Sequence, residues 1–337
     1  MSDILWLKEI CKQDVAIAGG KGAHLGEMFN AGFPVPDAFV IKAQAFKKFL
    51  ESTKIKKQIY DILANTNIEN TKELEEKTAE IRKIIENSEM PKELEEQIKR
   101  AYEKLNESES ENLIHKEPCF VAVRSSATTE DLEEASFAGQ QETFLNIKGQ
   151  ATLLETVKKC WASLFTARAV YYREKHGFSH EQALIAVIIQ KMINSEKAGV
   201  IFTINPLTNN DKEIVAEAVF GLGEGIVSGS IEPDHYVFDK DSGKIKEIRI
   251  GTKKFAVTRN SEGKTIRKVL HEEFKEKQVL YDHELKIVWN YAKKIESHYG
   301  IPQDIEFAFE GGNFYIVQSR PVTTLKKAKK EKLEVKA

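Results

Sequence analysis

Residues 120–146 read FVAVRSSATTEDLEEASFAGQQETFLN, and this stretch decides the fold expected for the chain. It begins with an uninterrupted apolar run, Phe120 to Val123, which is typical of a strand covered on both faces. The run brings Arg124 to the end of that strand, and an apolar pattern resumes at Phe144. The sequence therefore predicts two strands joined by a polar loop that starts with a guanidinium group.

The loop between these strands carries groups that can bind an anion. The guanidinium of Arg124 is a rigid fork of donors suited to phosphate oxygens. Gly139 allows backbone amides to approach an anion closely, and Thr143 adds a hydroxyl donor. An ordinary polar hairpin with a surface arginine has the same pattern, so these residues alone leave both interpretations open.

A second candidate anion site lies near the start of the chain. Val15–Ala18 is predicted to be a short strand that runs into Gly19-Gly20-Lys21-Gly22 and then a helix. A glycine-rich turn that opens a helix can bind anions. This turn is not a Walker A loop, because Gly22 stands where Ser or Thr should follow Lys21. Without further support, a plain helix start is the simpler interpretation.

The last apolar segment, DIEFAFEGGNFYIVQSRP at 304–321, predicts a hairpin that turns at its two glycines. With a three-residue loop, Glu306 would lie opposite Gln318, and Asp304 would lie opposite Arg320 on the same face. A two-residue loop would move Gln318 to the other face. Only the first register gathers two carboxylates and an amide oxygen for Mg²⁺, with an arginine beside them for phosphate. A surface hairpin with an Asp–Arg pair is the competing interpretation.

Composition excludes several classes of protein. The chain has 337 residues, is 41% hydrophobic and has a formal net charge of −2, which gives no electrostatic case for binding nucleic acid or membrane. The three cysteines, Cys11, Cys119 and Cys160, are widely spaced and odd in number, as in a reducing compartment. No segment suits a leader or a bilayer span. We expect a soluble cytoplasmic protein with one large or two modest packed units.

Three blocks of the sequence resemble, in the same order, motifs of one enzyme family: GGKGAHLGEM, RSSATTEDLEEASFAGQQETFLN and DIEFAFEGGNFYIVQSRPVTTL. The family comprises phosphoenolpyruvate synthase, pyruvate phosphate dikinase and rifampicin phosphotransferase, which share an ATP-grasp domain that phosphorylates a mobile histidine. The resemblance extends from about Val15 to Leu325. GGKGAHLGE and IVQSRPVTTL are more similar to rifampicin phosphotransferase than to phosphoenolpyruvate synthase.

This resemblance implies an α+β, ATP-grasp fold with two subdomains and the nucleotide cleft between them. The first subdomain would be residues 1–191, including a charged helical segment at about 45–106. The second would be residues 192–325. Residues 326–337 would be a lysine-rich tail or linker.

The resemblance also implies ATP and Mg²⁺ as cofactors and assigns roles to eight residues. The residues that would neutralise the phosphates, as the catalytic groups, are Lys21, Arg124 and Arg320. Those that would close the loop over the phosphates are Gly139 and Thr143. The nucleotide contact on a strand end would be Gln190, and the metal ligands would be Glu306 and Gln318.

The activity implied is that of a dikinase-type phosphotransferase, which moves the β-phosphoryl group of ATP to a histidine on a separate swivelling domain. None of the eight histidines lies in a glycine-rich loop followed by small residues. We therefore expect the nucleotide-binding part alone, with the histidine-bearing domain and the substrate domain in trans or lost by truncation. The final phosphoryl acceptor is not specified by these residues. The alternative is a non-catalytic, ATP-responsive binding module that regulates a partner protein.

Overall fold

The computed structural model describes residues 2–107, 117–128 and 142–322. These residues divide into two units. The first comprises the described residues of Met1–Ile193 and Arg259–Thr265, and the second those of Asn194–Thr258 and Ile266–Ala337. The sequence placed the change of subdomain after residue 191. The predicted lysine-rich tail at 326–337 lies outside the described residues.

The first unit is built on a five-stranded sheet in which every pair of neighbours is antiparallel. In spatial order its strands are β1 (Ile4–Trp6), β2 (Ala38–Ile41), β5 (Ile185–Lys191), β3 (Val121–Ala127) and β4 (Thr143–Ile147). The helices of this unit are α1 (Val15–Asn30), α2 (Ala43–Ser52), α3 (Lys56–Ala64), α4 (Thr71–Asn87), α5 (Lys92–Glu107), α6 (Gln150–Ala162) and α7 (Ala167–Lys175).

Helices α2, α5 and α6 pack on the sheet, and α4 packs on α6, because each presents an apolar stripe. The stripe of α5, buried throughout as its spacing predicts, is Leu94, Ile98, Ala101, Tyr102 and Leu105. At the centre of the core, the fully buried Trp161 ring lies 4.8 Å from Phe49 and 5.7 Å from Phe46. The predicted charged helical segment is therefore a packed layer with a solvated outer face.

Two predicted elements are wrong in this unit. Val15–Ala18 is not a strand but the first turn of α1, which is interrupted at Gly19 by backbone angles of φ 69° and ψ 170°. The amphipathic pattern of residues 151–176 predicts one long helix, but these residues form α6 and α7 with a 3-10 turn, Ser163–Phe165, between them. The break has a local cause, since the side chain of Thr166 accepts the amide of Ala169 and caps a new helix.

The second unit is built on a six-stranded antiparallel sheet. In spatial order its strands are β13 (Asn313–Pro321), β12 (Gln303–Glu310), β6 (Lys197–Phe202), β7 (Glu213–Phe220), β8 (Asp234–Asp239) and β9 (Ile245–Arg249). A separate two-stranded sheet is formed by β10 (Phe255–Arg259) and β11 (Thr265–Val269). The helices are α8 (Glu224–Val227), α9 (Glu272–Lys275) and α10 (Asp282–Tyr299).

Helix α10 packs against β6, β7 and β12. The ring of Tyr291 in this helix stacks on Phe314, with ring centroids 4.8 Å apart. Glu284 in the first turn accepts two hydrogen bonds of 2.7 Å from the Lys197 ammonium. The helix ends at Gly300, whose φ of 71° is the left-handed cap expected there.

The described chain is therefore an α+β structure, as predicted. Within its described part, no helix is long and apolar enough to cross a membrane.

Candidate functional site

The two faces of the first sheet carry different side chains. One face packs into the apolar core with its helices, and the residues of β3 and β5 in that core are Val121, Val123, Ile185, Val187 and Ile189. Because side chains alternate along a strand, the residues between them point to the opposite face. That opposite face carries Arg124, Ser126 and Gln190, and α1 packs against it.

Arg124 and Gln190 are joined across β3 and β5. Arg124 is only 6% exposed, and its NH1 group donates to Gln190 Oε1 at 3.2 Å. Gln190 is 2% exposed, and within the described residues its Nε2 amide has no hydrogen-bond partner. Burying such a donor is costly unless something accepts from it. A guanidinium and an amide donor therefore lie together on a face where a ligand could accept from both.

Lys21 comes to the same strand from α1. The break at Gly19 lets the helix restart beside β3, and the ammonium of Lys21 then donates to the backbone oxygen of Ser125 at 3.4 Å. Lys21 and Arg124 are 103 positions apart in sequence, and Lys21 contacts the backbone of the residue that follows Arg124 on β3. Arg124 lies in the middle of β3 and not at its end, so the prediction that the strand ends at Arg124 is wrong. The predicted glycine-rich turn does open a helical segment, although what precedes it is helix and not strand.

The loop expected to close over phosphates is described only at its end. Gly139 lies outside the described residues. Thr143 is the first residue of β4, is exposed and pairs directly with Arg124 in the register of β3 and β4. Its side chain therefore shares the sheet face of Arg124.

The second group of predicted site residues lies on the β12–β13 hairpin. Its turn is the two-residue one, because Glu310 pairs with Asn313. Even so, Glu306 pairs with Gln318 and Asp304 with Arg320, since an irregularity after Glu306 shifts the register by one residue. The expected pairing is therefore present, but its cause is a β-bulge and not a three-residue loop.

Charge on this hairpin is partly neutralised. Arg320 donates to Asp304 Oδ2 through its Nε at 2.9 Å, and its second nitrogen lies 2.8 Å from the same oxygen. Both contacts use one carboxylate oxygen, so this is not a two-oxygen fork. The Arg320 side chain stays 54% exposed. Burial raises the pKa of the Asp304 carboxyl, and the neighbouring Arg320 acts in the opposite direction.

The sheet face that carries Glu306 continues across the second unit. Glu306 pairs with Val200, Val200 with Glu217, and Glu217 with His235, so these four side chains share one face. Glu217 Oε1 lies 3.3 Å from His235 Nδ1. Sequence reasoning did not single out Glu217. The signal was present, because it is the one carboxylate inside the apolar run Ile214 to Val219.

The donor set on β12 and β13 fits a hard cation. Glu306 offers carboxylate oxygens and Gln318 an amide oxygen, which are the ligand types that Mg²⁺ takes. Among the described residues, no group of three or more His, Cys, Asp or Glu side chains could hold a metal by itself. A cation here would therefore also need oxygens from a ligand, as Mg²⁺ has when it bridges protein carboxylates and phosphates.

Comparison with known proteins identifies the family of this chain. The family model described as "Pyruvate phosphate dikinase, AMP/ATP-binding domain" matches residues 15–337. A protein of Archaeoglobus fulgidus named probable phosphoenolpyruvate synthase is 51% identical over 97% of this chain and 42% of its own length. A protein of the same name from Methanocaldococcus jannaschii is 49% identical over 98% of this chain and 28% of its own length.

Rifampicin phosphotransferase of Bacillus subtilis is 39% identical over 96% of this chain and 36% of its own length. The predicted greater similarity of two motifs to rifampicin phosphotransferase does not extend to the whole chain, where identity to the two synthase-named relatives is higher. The chain spans less than half the length of each of these three relatives. It belongs to the family of pyruvate phosphate dikinase AMP/ATP-binding domains.

Proposed function

We propose that this chain binds ATP and transfers its β-phosphoryl group to a histidine of a separate domain, while the γ-phosphoryl group passes to water as inorganic phosphate and AMP is left. The observation that carries the proposal is the placement of two cations at consecutive residues of β3: Lys21 at the backbone oxygen of Ser125, and Arg124 with Gln190 beside it. Two cations that the chain brings together from distant positions suit the phosphates of a nucleotide. Membership of a family described by AMP/ATP binding supports the same ligand.

The fold proposed for this activity is ATP-grasp, in which residues of both units act on the same nucleotide. The first unit would supply Lys21, Arg124 and Thr143 to the phosphates and Gln190 to the nucleotide, and Gly139 would belong to the same loop. The second unit would supply Arg320 to the phosphates. Antiparallel sheets in both units are consistent with this arrangement.

Magnesium would be held by Glu306 and Gln318 together with phosphate oxygens. Bound there, it would supply Lewis-acid neutralisation of the phosphates. The protein's own part is to bind and orient. Phosphoryl transfer needs positioning and charge stabilisation more than covalent chemistry from side chains. In the free protein Arg320 pairs with Asp304, and in the complex it would also meet a phosphate oxygen.

The partners proposed are a histidine-bearing phosphocarrier domain and a substrate domain. The named relatives are longer than the matched region, so they have sequence in which such domains could lie. Their names point to two kinds of final acceptor, pyruvate or a rifamycin. The higher identity to the synthase-named relatives favours the first of these.

Labelled ATP tests the proposal. The chain is incubated with ATP labelled at its β-phosphate, alone and with the part of the Archaeoglobus fulgidus relative outside the matched region. We expect slow AMP formation by the chain alone, because a closed phosphate site excludes water and holds no nucleophile in line. With the partner we expect fast AMP formation and an acid-labile label on the partner's histidine.

Two outcomes would contradict this proposal, and a control separates them from a damaged preparation. Fast AMP formation without a partner would show that the chain carries its own acceptor. Tight ATP binding with no transfer to any partner would favour the non-catalytic, ATP-responsive module. The Lys21→Ala variant should abolish transfer in the presence of the partner, while its melting temperature without nucleotide matches that of the unmodified chain.

A further inference from the structure

Ser126 occupies an unusual place two residues beyond Arg124 on β3. It is fully buried, and alternation puts its side chain on the same face as Arg124. Its hydroxyl oxygen accepts the backbone amide of Gly22 in α1 at 3.1 Å. The strand that carries one proposed phosphate ligand is thus bonded to the helix that carries the other.

The bond falls where α1 needs an acceptor. The first amides after a helix start have no carbonyl four residues earlier to bond to. Helical backbone resumes after the break at Gly19, and Gly22 follows within the first turn. Ser126 therefore does for this turn what an N-cap serine does for an ordinary helix, but from a different strand.

The fit between Ser126 and the break in α1 leaves no spare space. A Cβ atom at Gly19 would lie 2.2 Å from Ser126 Oγ and 2.3 Å from the backbone oxygen of Ser126. These distances are much shorter than van der Waals contact, so residue 19 must have no side chain for α1 to approach β3. Gly19, two positions before Lys21, and Gly22, one position after it, both pack against Ser126.

Three consecutive residues of β3 therefore contribute to the placement of the two cations, Lys21 and Arg124. Arg124 supplies a guanidinium, Ser125 accepts the Lys21 ammonium through its backbone oxygen, and Ser126 fixes the backbone around Lys21. A shift of the turn by a fraction of an ångström would move the Lys21 ammonium relative to the Arg124 guanidinium. Catalytic and binding groups lose much of their effect when they are misplaced by about 1 Å.

We propose that Ser126 is a positioning residue that sets the place of Lys21 relative to Arg124. The inference rests on the proposed function, since it assumes that Lys21 binds phosphate. Ser126 itself acts on the nucleotide only through the backbone of α1.

A double-mutant cycle tests this inference, with ATP affinity measured by calorimetry at fixed Mg²⁺. We expect Ser126→Ala to weaken ATP binding by about threefold to tenfold, the scale of one hydrogen bond. In the Lys21→Ala background the same change should alter affinity by less than about twofold, because residues that act through one another are not additive. Ser126→Cys keeps the volume with a poorer acceptor and should lie between, which keeps the test usable if Ser126→Ala folds badly.

Ser163→Ala is the matched control, because Ser163 is also a buried serine of the first unit, and its hydroxyl donates within its own turn to the Cys160 oxygen at 2.7 Å. It should lower the melting temperature and leave ATP affinity unchanged. Amide exchange at Gly22 adds a readout without nucleotide, and it should speed up in Ser126→Ala and not in Ser163→Ala.

Each remaining outcome overturns a defined statement. If Lys21→Ala weakens ATP binding while Ser126→Ala and Ser126→Cys bind as the unmodified chain does, the inference is wrong and the proposed function stands. If Ser126→Ala weakens binding equally in both backgrounds, Ser126 does not act through Lys21. If Lys21→Ala itself binds ATP normally, the phosphate role of Lys21 is wrong, and the inference falls with it.

Discussion

The two groups of candidate residues differ in how deeply their arginine side chains are buried. In the first unit Arg124 is 6% exposed, bonded to Gln190 and enclosed by sheet and helix. In the second, Arg320 lies on the edge strand of its sheet with a side chain 54% exposed beside Asp304. A buried cation costs free energy unless it is well bonded, whereas an exposed ion pair contributes little either way. Binding and folding should therefore be coupled at Arg124 and separable at Arg320.

The largest effect is expected at Gly19, where the first group is packed most tightly. Gly19→Ala adds a Cβ that would lie 2.2 Å from Ser126 Oγ at a φ of 69°. We expect a loss of about 3 kcal/mol or more in the free energy of unfolding, the range of combined overpacking and backbone strain. Urea titration followed by circular dichroism measures the change.

Gly32→Ala is the control for this prediction. Gly32 also has a positive φ, 79°, but an added Cβ would meet nothing within 4 Å. Only the conformational cost of about 1–2 kcal/mol should remain. Equal losses for the two variants would show that the contact between Gly19 and Ser126 does not limit the fold.

The next effect separates the two arginines in the absence of nucleotide. Arg124→Ala leaves the buried Gln190 Oε1 without its donor, and an unsatisfied buried group costs about 1–3 kcal/mol. Arg320→Ala removes a guanidinium that is 54% exposed and leaves Asp304, whose side chain is 15% exposed, without it, so it should cost about 1 kcal/mol, the low end of that range. Thermal unfolding of both variants checks the order, and a larger loss for Arg320→Ala would reverse the comparison between the units.

A third prediction concerns the hairpin of the second unit. Glu306→Gln removes the charge from the proposed magnesium pair without changing its shape. Nucleotide binding should then become nearly insensitive to Mg²⁺, which titrations of ATP with and without EDTA would measure. Glu310→Gln, the same change at the end of β12, should keep the Mg²⁺ dependence of the unmodified chain. Full Mg²⁺ dependence in Glu306→Gln would remove Glu306 from the metal site.

The smallest effect is a pH dependence of stability in the first unit. His180 Nδ1 accepts from Arg173 Nε at 2.9 Å, so the neutral ring carries its proton on Nε2, which faces Glu174 at 2.7 Å. Burial, followed by the charge of Arg173, lowers the pKa of His180 below its ordinary value of about 6.5. The unfolded chain then binds the proton more readily than the folded one. Stability from this group is complete above about pH 6.5 and is lost as the pH falls through the folded pKa.

His180→Gln should flatten this part of the stability profile below about pH 6.5. Chemical denaturation at a series of pH values measures it. An unchanged slope would assign the pH dependence to other groups.

The periodic patterns of the sequence correctly predict those features of the fold that depend on a single strand or helix. The apolar run before Arg124, the stripe of α5 and the glycine cap of α10 all follow from burial and capping of single elements. The bulge after Glu306 could not be predicted in this way. A two-residue turn combined with one extra residue in the hairpin gives the same pairing of Glu306 with Gln318 as a three-residue turn would.

Long-range relations were also beyond local patterns. The contact between Ser126 and the α1 break joins residues 104 positions apart, so no window along the chain contains both partners. A helix start and a strand look alike over the four apolar residues Val15–Ala18, and packing beside β3 decides between them. Glu217 was visible as a carboxylate in an apolar strand, but its relation to Glu306 needs the strand order of the sheet.

Calorimetry of ATP binding is the most direct test of the central proposal that Arg124 and Arg320 bind the phosphates of ATP. ATP with Mg²⁺ is titrated into the unmodified chain, Arg124→Ala and Arg320→Ala. Each variant should lose about 1.5–3 kcal/mol of binding free energy, the contribution of a hydrogen bond to a charged group. Unmodified affinity in Arg124→Ala would contradict the assignment of the first group, and unmodified affinity in Arg320→Ala would leave the nucleotide to the first unit alone.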